Sequence, residues 1–443
     1  MSSALLTDLY EVRMAASFRR RRMDGLATFS LFFRAMPRQR GFLVACGLEA
    51  CLEFLADLAI DDGDLEALAG LGVAVADLDA LRGLRFSGDV WAIPEGTIVF
   101  ADEPVLEVTA PIAEAQLVET YLLNQITFAT AVASKAARCV LAAGDAGIVD
   151  FAFRRTHGRD AAMAVARATA IVGFAATSNV EAARRFGLTA TGTMAHSYVE
   201  AFPTEQEAFR AFAEDNPANA VLLVDTYDTI TGVRHAIEVL RDLGLGDRAG
   251  IRIDSGDLAA LSAEARRMLD AAGLRGTRVF ASGSLDELAI DALRAAGAPI
   301  DAYGVGTKVG VSADAPSLES VYKLVEYGGR PVMKLSPEKA TAPGAKQVFR
   351  GPAGDVVGLR DDDPPPGAAA LLVPVMRAGS RLLEAPSLDD ARHRFRAGLA
   401  ALPADARRLR APTQHLVRWT PRATALRQEV ADALGGRERT SGV

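Results

Sequence analysis

Apolar and polar positions follow two different rhythms along this chain. In the N-terminal third the rhythm is mixed. Thr7 or Asp8 can cap a helix reaching about Arg22, and ATFSLFFR (27–34) reads as a strand. Residues 41–84 read mostly as helices broken by Gly and Asp. Residues 88–110 form short β-rich runs parted by Pro-Glu-Gly and Asp-Glu-Pro turns, the pattern of a small antiparallel sheet. A long helical stretch follows, from about Ala113 to Ala143.

From residue 147 the rhythm becomes regular: a short apolar strand, a polar loop, then a helix. GIVDF (147–151), AVLLVD (220–225), GIRID (250–254) and RVFASG (278–283) each lead into a helix, and DAYGVG (301–306) closes the series. The later strands recur at the spacing of a β/α unit, which predicts a parallel sheet, open or closed into a barrel. Ligands bind such sheets at the C-terminal ends of the strands. The residues there are Phe151 to His157, Asp225 to Asp228, Asp254 to Asp257, Ser282 to Ser284 and Gly304 to Thr307. Turns and helix caps favour Asp, Ser and Gly, so one such mouth means little; five together favour a site. The expected division is a mixed α/β domain over 1–130, a barrel over 131–330 and a C-terminal segment over 331–443. DDDPPPGAAA (361–370) reads as a linker and GGRERTSGV as a frayed tail.

Composition narrows the function classes. The 443 residues carry 49 basic and 56 acidic side chains, a net charge of −7, which argues against a general nucleic-acid binder. No uninterrupted apolar run reaches the ~18 residues of a membrane span, and the start lacks a signal-peptide core. Cys46, Cys51 and Cys139 are too few and too odd in number for a disulfide framework. A cytoplasmic protein is expected. Only six of the basic residues are lysines, and five of them fall between 308 and 346. Arg-rich runs then carry little information, whereas Lys334, Lys339 and Lys346, in a Pro- and Gly-punctuated stretch, suit a loop that binds polyphosphate through point charges.

The individual motifs are each ambiguous. Gly304-Val-Gly306-Thr307 follows a strand and lets backbone N–H groups approach a phosphate, but it is neither a dinucleotide fingerprint nor a P-loop. Arg154-Arg155-Thr156-His157 is a basic loop that suits a phosphate or carboxylate, or is a solvated Arg run. His196 lies in a small-residue loop and can serve as a base, nucleophile or phosphoryl acceptor. Asp228 and Asp257 suit helix caps, while Asp225 and Asp254, last in their strands, suit chemistry. By themselves these features describe a phosphate-transfer or phosphosugar enzyme.

The order and wording of the motifs resemble the nicotinate phosphoribosyltransferase family. The likeness runs from Thr7-Asp8-Leu9-Tyr10-Glu11 through Phe33-Arg34-Ala-Met-Pro37, Gly47-Leu48-Glu49, Glu119 to Asn124, Lys135-Ala-Ala-Arg138 and the Arg154–Gly158 loop. It continues in Gly192 to Ser197, Val224 to Asp228, Ile253 to Asp257, Tyr303 to Thr307, Val321 to Glu326 and Lys334 to Lys346. It covers residues 5 to about 350.

This resemblance implies an irregular, incomplete α/β barrel with a separate mixed α/β sandwich domain, working as a homodimer. It implies that nicotinate is joined to 5-phosphoribosyl-1-pyrophosphate with Mg²⁺, giving nicotinate mononucleotide and pyrophosphate for NAD salvage. ATP hydrolysis is coupled through a phosphohistidine, and His196 matches it. Phe151 matches the residue stacking on the pyridine ring, and Tyr10 one reaching in from the partner subunit. Arg154, His157 and Arg252 match basic groups around the substrates; Gly304, Gly306 and Thr307 match the 5′-phosphate loop. Thr177, Ser178, Ser282 and Gly283 belong to the expected substrate-binding set, and Asp225 and Asp254, with His196, to the catalytic one. Ser284 departs from the family, whose members often carry an acid there. The Thr177-Ser178-Asn179 stretch and the Arg154 loop carry no acid, which fits nicotinate over nicotinamide. Alternatives are a nicotinamide or other pyridine phosphoribosyltransferase, and a non-catalytic nucleotide-binding paralogue. A barrel aldolase would need a Schiff-base lysine at a strand end, and none lies between 136 and 307.

Overall fold

A computed structural model describes residues 4–336, 341–382 and 387–440, the last six by backbone alone. The chain divides into two compact units, Met1–Ala131 with Ser317–Val443, and Val132–Pro316. Residues beyond 331, expected as a segment of their own, thus cluster with the N-terminal residues.

The discontinuous unit is built on a seven-stranded antiparallel sheet. Its strand order is Arg330–Pro331, Ser320–Tyr327, Leu26–Phe33, Pro104–Pro111, Asp89–Ala92, Val373–Arg377 and Ser380–Arg381. The 88–110 stretch supplies two of those strands, and Ile98–Val99 pairs separately with Leu43–Val44. A smaller sheet holds Ala369–Ala370, Lys346–Gly351, Gly354–Leu359 and Arg418–Trp419. The helix Leu9–Arg20 has Asp8 at its N-cap position, yet the Asp8 carboxylate accepts from Thr120 instead of capping. The helix Glu119–Ala143 is long and apolar enough to cross a membrane by composition, but 78% of its apolar window is buried in protein, as in a core helix. The final helix runs from Pro421 to Thr440, so residues 435–440 of the expected frayed tail are helical, and 441–443 lie outside the described residues. Extending an existing helix fixes one residue per added hydrogen bond, which lets it run through poor helix formers.

The second unit is a six-stranded, all-parallel sheet: Ala176–Thr177, Gly147–Asp150, Ala302–Val305, Arg278–Ala281, Gly250–Ile253 and Val221–Leu223, in that order. The first and last of these do not pair with each other, so the barrel is incomplete. The strands are mostly apolar, as buried parallel strands are, with Asp150, Thr177, Arg252 and Arg278 the polar exceptions. Leu222, Leu223, Ile251, Ile253 and Val279 are buried with Val233, Val239 and Leu240 of the helix Thr229–Asp242 in one core. Asp228 caps that helix through Thr231 N–H at 2.9 Å, and Asp257 caps Leu258–Ala271, as their positions predict. Asp286 and Asn179 cap two further helices. Short helices at Val180–Phe186, His196–Glu200 and Glu205–Asp215 were not legible in the strand–helix rhythm.

Candidate active site

The parallel sheet brings most of the expected residues to one end. Beyond Leu223 and Ile253, Asp225 and Asp254 are tied together: Oδ2 of Asp225 accepts the Asp254 N–H at 3.0 Å and the Ser255 hydroxyl at 2.6 Å. Ser282, at the next strand end, donates to Oδ1 of Asp254. Arg252 completes the group. Its Nη2 lies 3.7 Å from that same Oδ1, and its Nη1 donates to Thr193 and, at 3.4 Å, to the Met194 carbonyl. Three strand ends and the loop before His196 are thereby joined. Burial draws the Arg252 guanidinium below its ordinary range, opposed by Asp254 and Asp225.

Two polar atoms in this group are buried without partners: Oδ1 of Asp225 and Nε of Arg252. Orphaned buried polar atoms are costly, so their presence on adjoining strand ends marks a place for a ligand. Phe151 lies half-buried beside them, its ring centroid 5.9 Å from the Arg252 guanidinium carbon. Gly304 makes room for that ring: a methyl there would sit 2.5 Å from it. A flat apolar face beside a cation is what a planar aromatic anion needs. Gly283 is also obligatory. It has φ +98°, and a methyl there would lie 2.0 Å from the Asp254 carbonyl oxygen.

His196 begins a short helix rather than sitting inside a loop, and its Nδ1 lies 3.2 Å from the Thr226 hydroxyl. Gly306 and Thr307 follow the strand Ala302–Val305, and the adjacent Lys308 pairs with Asp286 at 2.9 Å. Arg154 and His157 are exposed in the turn after Gly147–Asp150. Among the described residues, no group of three or more His, Cys, Asp or Glu is placed to hold a metal.

Models of nicotinate phosphoribosyltransferase domains match most of the chain: the N-terminal domain on residues 5–127, the family core on 146–349 and the C-terminal domain on 364–427. The chain belongs to the nicotinate phosphoribosyltransferase family. The nicotinate phosphoribosyltransferase pncB2 of Mycobacterium tuberculosis is 49% identical over 414 residues, covering 92% of this chain and 89% of that protein. The nicotinate phosphoribosyltransferase of Bacillus subtilis is 45% identical over 383 residues, covering 82% and 77%. The crystal structure of the human nicotinic acid phosphoribosyltransferase superposes with a TM-score of 0.85 at 29% identity, over 96% of this chain and all of that one.

Some residues expected in a phosphoribosyltransferase site do other work here. Thr177 is buried and spends its hydroxyl on Asp150 at 2.7 Å, so its side chain braces the sheet mouth. Asp150, which the sequence reading passed over as strand interior, accepts that bond and the Ala152 N–H at 2.8 Å, fixing the turn that carries Phe151. Burial raises the Asp150 carboxyl above its ordinary value. An acid therefore lies under the Thr177–Asn179 stretch, although the stretch itself has none; Ser178 meets the same residue, its N–H donating to the Asp150 carbonyl at 2.8 Å.

The lysine cluster separates. Lys346 is not a loop residue. It starts the strand Lys346–Gly351, and its buried ammonium donates to the Ala342 and Gly344 carbonyls at 3.0 and 2.7 Å, with Glu107 at 3.7 Å. That set of partners leaves it unsuited to a phosphate. Lys334 is exposed, and Lys339 lies outside the described residues. Tyr10 is half-exposed in the first turn of its helix, and burial with Glu11 as hydrogen-bond partner pushes its hydroxyl above its ordinary range. Ser284 is exposed with φ +53°. Thr193, Thr226 and Ser255 join the site through their hydroxyls, contacts that the sequence does not reveal because a hydroxyl's partner is set by the fold.

Proposed function

We propose that this chain joins nicotinate to 5-phosphoribosyl-1-pyrophosphate, forming nicotinate mononucleotide and pyrophosphate in NAD salvage, with ATP hydrolysis coupled to the transfer. The observation that carries the reading is the convergence of Phe151, Arg252, Asp225, Asp254 and Ser282 at one end of the parallel sheet, with two orphaned polar atoms among them. Phe151 stacks on the pyridine ring, and the Arg252 guanidinium, with Arg154 and His157 at the rim, attracts its carboxylate. As the ring nitrogen attacks the ribose carbon, positive charge develops on the sugar, and the fixed Asp254 carboxylate stabilises it. Gly283, Gly304, Gly306 and Thr307 give backbone access to the ribose and its 5′-phosphate.

The orphaned oxygen of Asp225 fits a Mg²⁺ ion, which is commonly held by one or two carboxylates together with substrate phosphates. Asp225 and Asp254 would hold it, and its charge would neutralise the departing pyrophosphate. His196 takes the phosphoryl group of ATP, and exposed Lys334 is available to phosphates. A homodimer in which Tyr10 reaches the partner's site is supported by an exposed apolar face at the N-terminus: Leu6, Leu9, Tyr10 and Met14 are each 37–55% exposed. A cytoplasmic location is supported by three free, buried thiols.

The test is product formation from nicotinate, phosphoribosyl pyrophosphate and Mg²⁺, with and without ATP, for wild type and His196→Ala. ATP stimulates the wild type only, and nicotinamide is turned over far more slowly. Comparable turnover of nicotinamide would sink the specificity, and equal rates without ATP would sink the coupling.

A further inference from the structure

A histidine that takes phosphoryl from ATP can do so through either ring nitrogen. A neutral imidazole carries one N–H and one lone pair, and only the nitrogen with the lone pair is nucleophilic. The partner of one nitrogen thus decides the role of the other. Here Nδ1 of His196 faces the Thr226 hydroxyl at 3.2 Å, while Nε2 has no hydrogen bond among the described residues.

Thr226 is well anchored for this task. It follows Asp225 directly, and Asp225 is bonded to Asp254 and Ser255 of the neighbouring strand end. The histidine side is anchored as well, through the bonds from Arg252 to Thr193 and Met194, three and two residues before it. A threonine hydroxyl both donates and accepts. Its proton has no other partner among the described residues, so an acceptor-rich polyphosphate or a water at the mouth draws it outward. The oxygen is then left to accept from Nδ1–H.

We propose that Thr226 is a positioning residue for phosphoryl transfer: its hydroxyl accepts the Nδ1–H of His196 and leaves Nε2 as the nucleophile. This rests on the ATP-coupled reading above. The Nε2 lone pair forms a bond to the γ-phosphorus of ATP while the bond from that phosphorus to its bridging oxygen breaks. ADP leaves with that electron pair. Nδ1 keeps its proton, so the phosphorylated ring is cationic and Thr226 continues to accept from it. Water later attacks the phosphorus, the P–N bond breaks, phosphate departs and a proton passes to solvent.

The experiment uses full-length protein with ¹⁵N-labelled histidine as wild type, Thr226→Val and Thr226→Ser. Long-range ¹H–¹⁵N spectra identify the resting tautomer of His196, with His196→Ala assigning the signal. The wild type and Thr226→Ser hold the Nδ1–H form, and Thr226→Val shifts towards Nε2–H. After ATP and Mg²⁺ are added, ³¹P spectra locate the phosphoryl group on Nε2 in the wild type. Partners that orient a metal-ligating histidine through its second nitrogen are worth about 10–100-fold; by the same logic Thr226→Val loses phosphohistidine by about that factor, and Thr226→Ser restores most of it. Phosphorylation of wild type on Nδ1, or an unchanged tautomer in Thr226→Val, overturns the proposal. If the tautomers behave as stated but wild type forms no phosphohistidine, the coupling reading fails and the phosphoryl-transfer role falls with it.

Discussion

Two buried clusters of charge, one in each unit, differ in a single respect. Glu107 lies fully buried in the central antiparallel sheet. Its two oxygens are met by the Ser30 hydroxyl, the Lys346 N–H at 3.0 Å, the Arg360 guanidinium and the Lys346 ammonium. Every lone pair that matters is used. Asp225 and Arg252, at the mouth of the parallel sheet, keep one buried polar atom each unpaired. A saturated network holds a fold together, whereas an unsaturated one keeps free bonding capacity for something that arrives. Orphaned oxygens also occur elsewhere, at Glu11 and Glu103, where burial raises both carboxyls, Glu11 to about 7. The mouth differs from those because its two orphans, of opposite charge, stand on adjoining strand ends.

The largest effect expected from this contrast is structural. Glu107→Ala strands the buried Lys346 ammonium and the half-buried Arg360 guanidinium and destabilises the protein by about 3–5 kcal/mol, read by urea unfolding, while the folded fraction keeps its KM for nicotinate. A variant that instead keeps its stability and loses binding would reverse the assignment of the two clusters. Arg252→Met works the other way. It lowers kcat/KM by about 10²-fold, since it removes a fixed charge at the site, and costs less stability than Glu107→Ala, because its partner Asp254 stays partly exposed to water. Gly304→Ala sharpens the contrast by pushing chiefly on Phe151, with the Ser282 Cβ next at 3.2 Å. Overpacking of about 1–3 kcal/mol raises KM for nicotinate about tenfold or more, with a smaller effect on KM for phosphoribosyl pyrophosphate.

The smallest effect concerns Lys346, whose ammonium burial pulls down to about 8 from an ordinary 10.5, against the attraction of Glu107. Between those values the unfolded chain holds the proton more tightly than the fold does. Stability from this residue therefore increases as pH rises through the window and is lost as pH falls through about 8. The increment is about 1 kcal/mol between pH 8 and 9. Lys346→Met flattens that slope in thermal melts and leaves KM for phosphoribosyl pyrophosphate unchanged.

Much of the parallel sheet was legible because its signal is local. Apolar strands at regular spacing end in Asp, Ser or Gly, and the division of labour between Asp225 and Asp228, or Asp254 and Asp257, follows from strand end against helix cap. The discontinuous unit was less legible. Its sheet pairs Leu26–Phe33 with Ser320–Tyr327, almost three hundred positions apart, and no local pattern encodes such a partner. The lysines misled for a related reason. Lys346 lies in a Pro- and Gly-rich stretch, but its burial depends on Glu107, which comes from a distant strand. Thr226 and Asp150 were missed because a side chain's hydrogen-bond partner is decided by packing between strand ends.

The most direct test of the account is the rate of nicotinate mononucleotide formation by Asp225→Asn, measured beside its unfolding midpoint. The amide keeps the shape of the side chain but removes the charge on the orphaned oxygen. The account predicts a fall in kcat of at least about 10²-fold with a midpoint near that of wild type. A variant that turns over like wild type would contradict it, and would place the transfer chemistry away from the mouth of the parallel sheet.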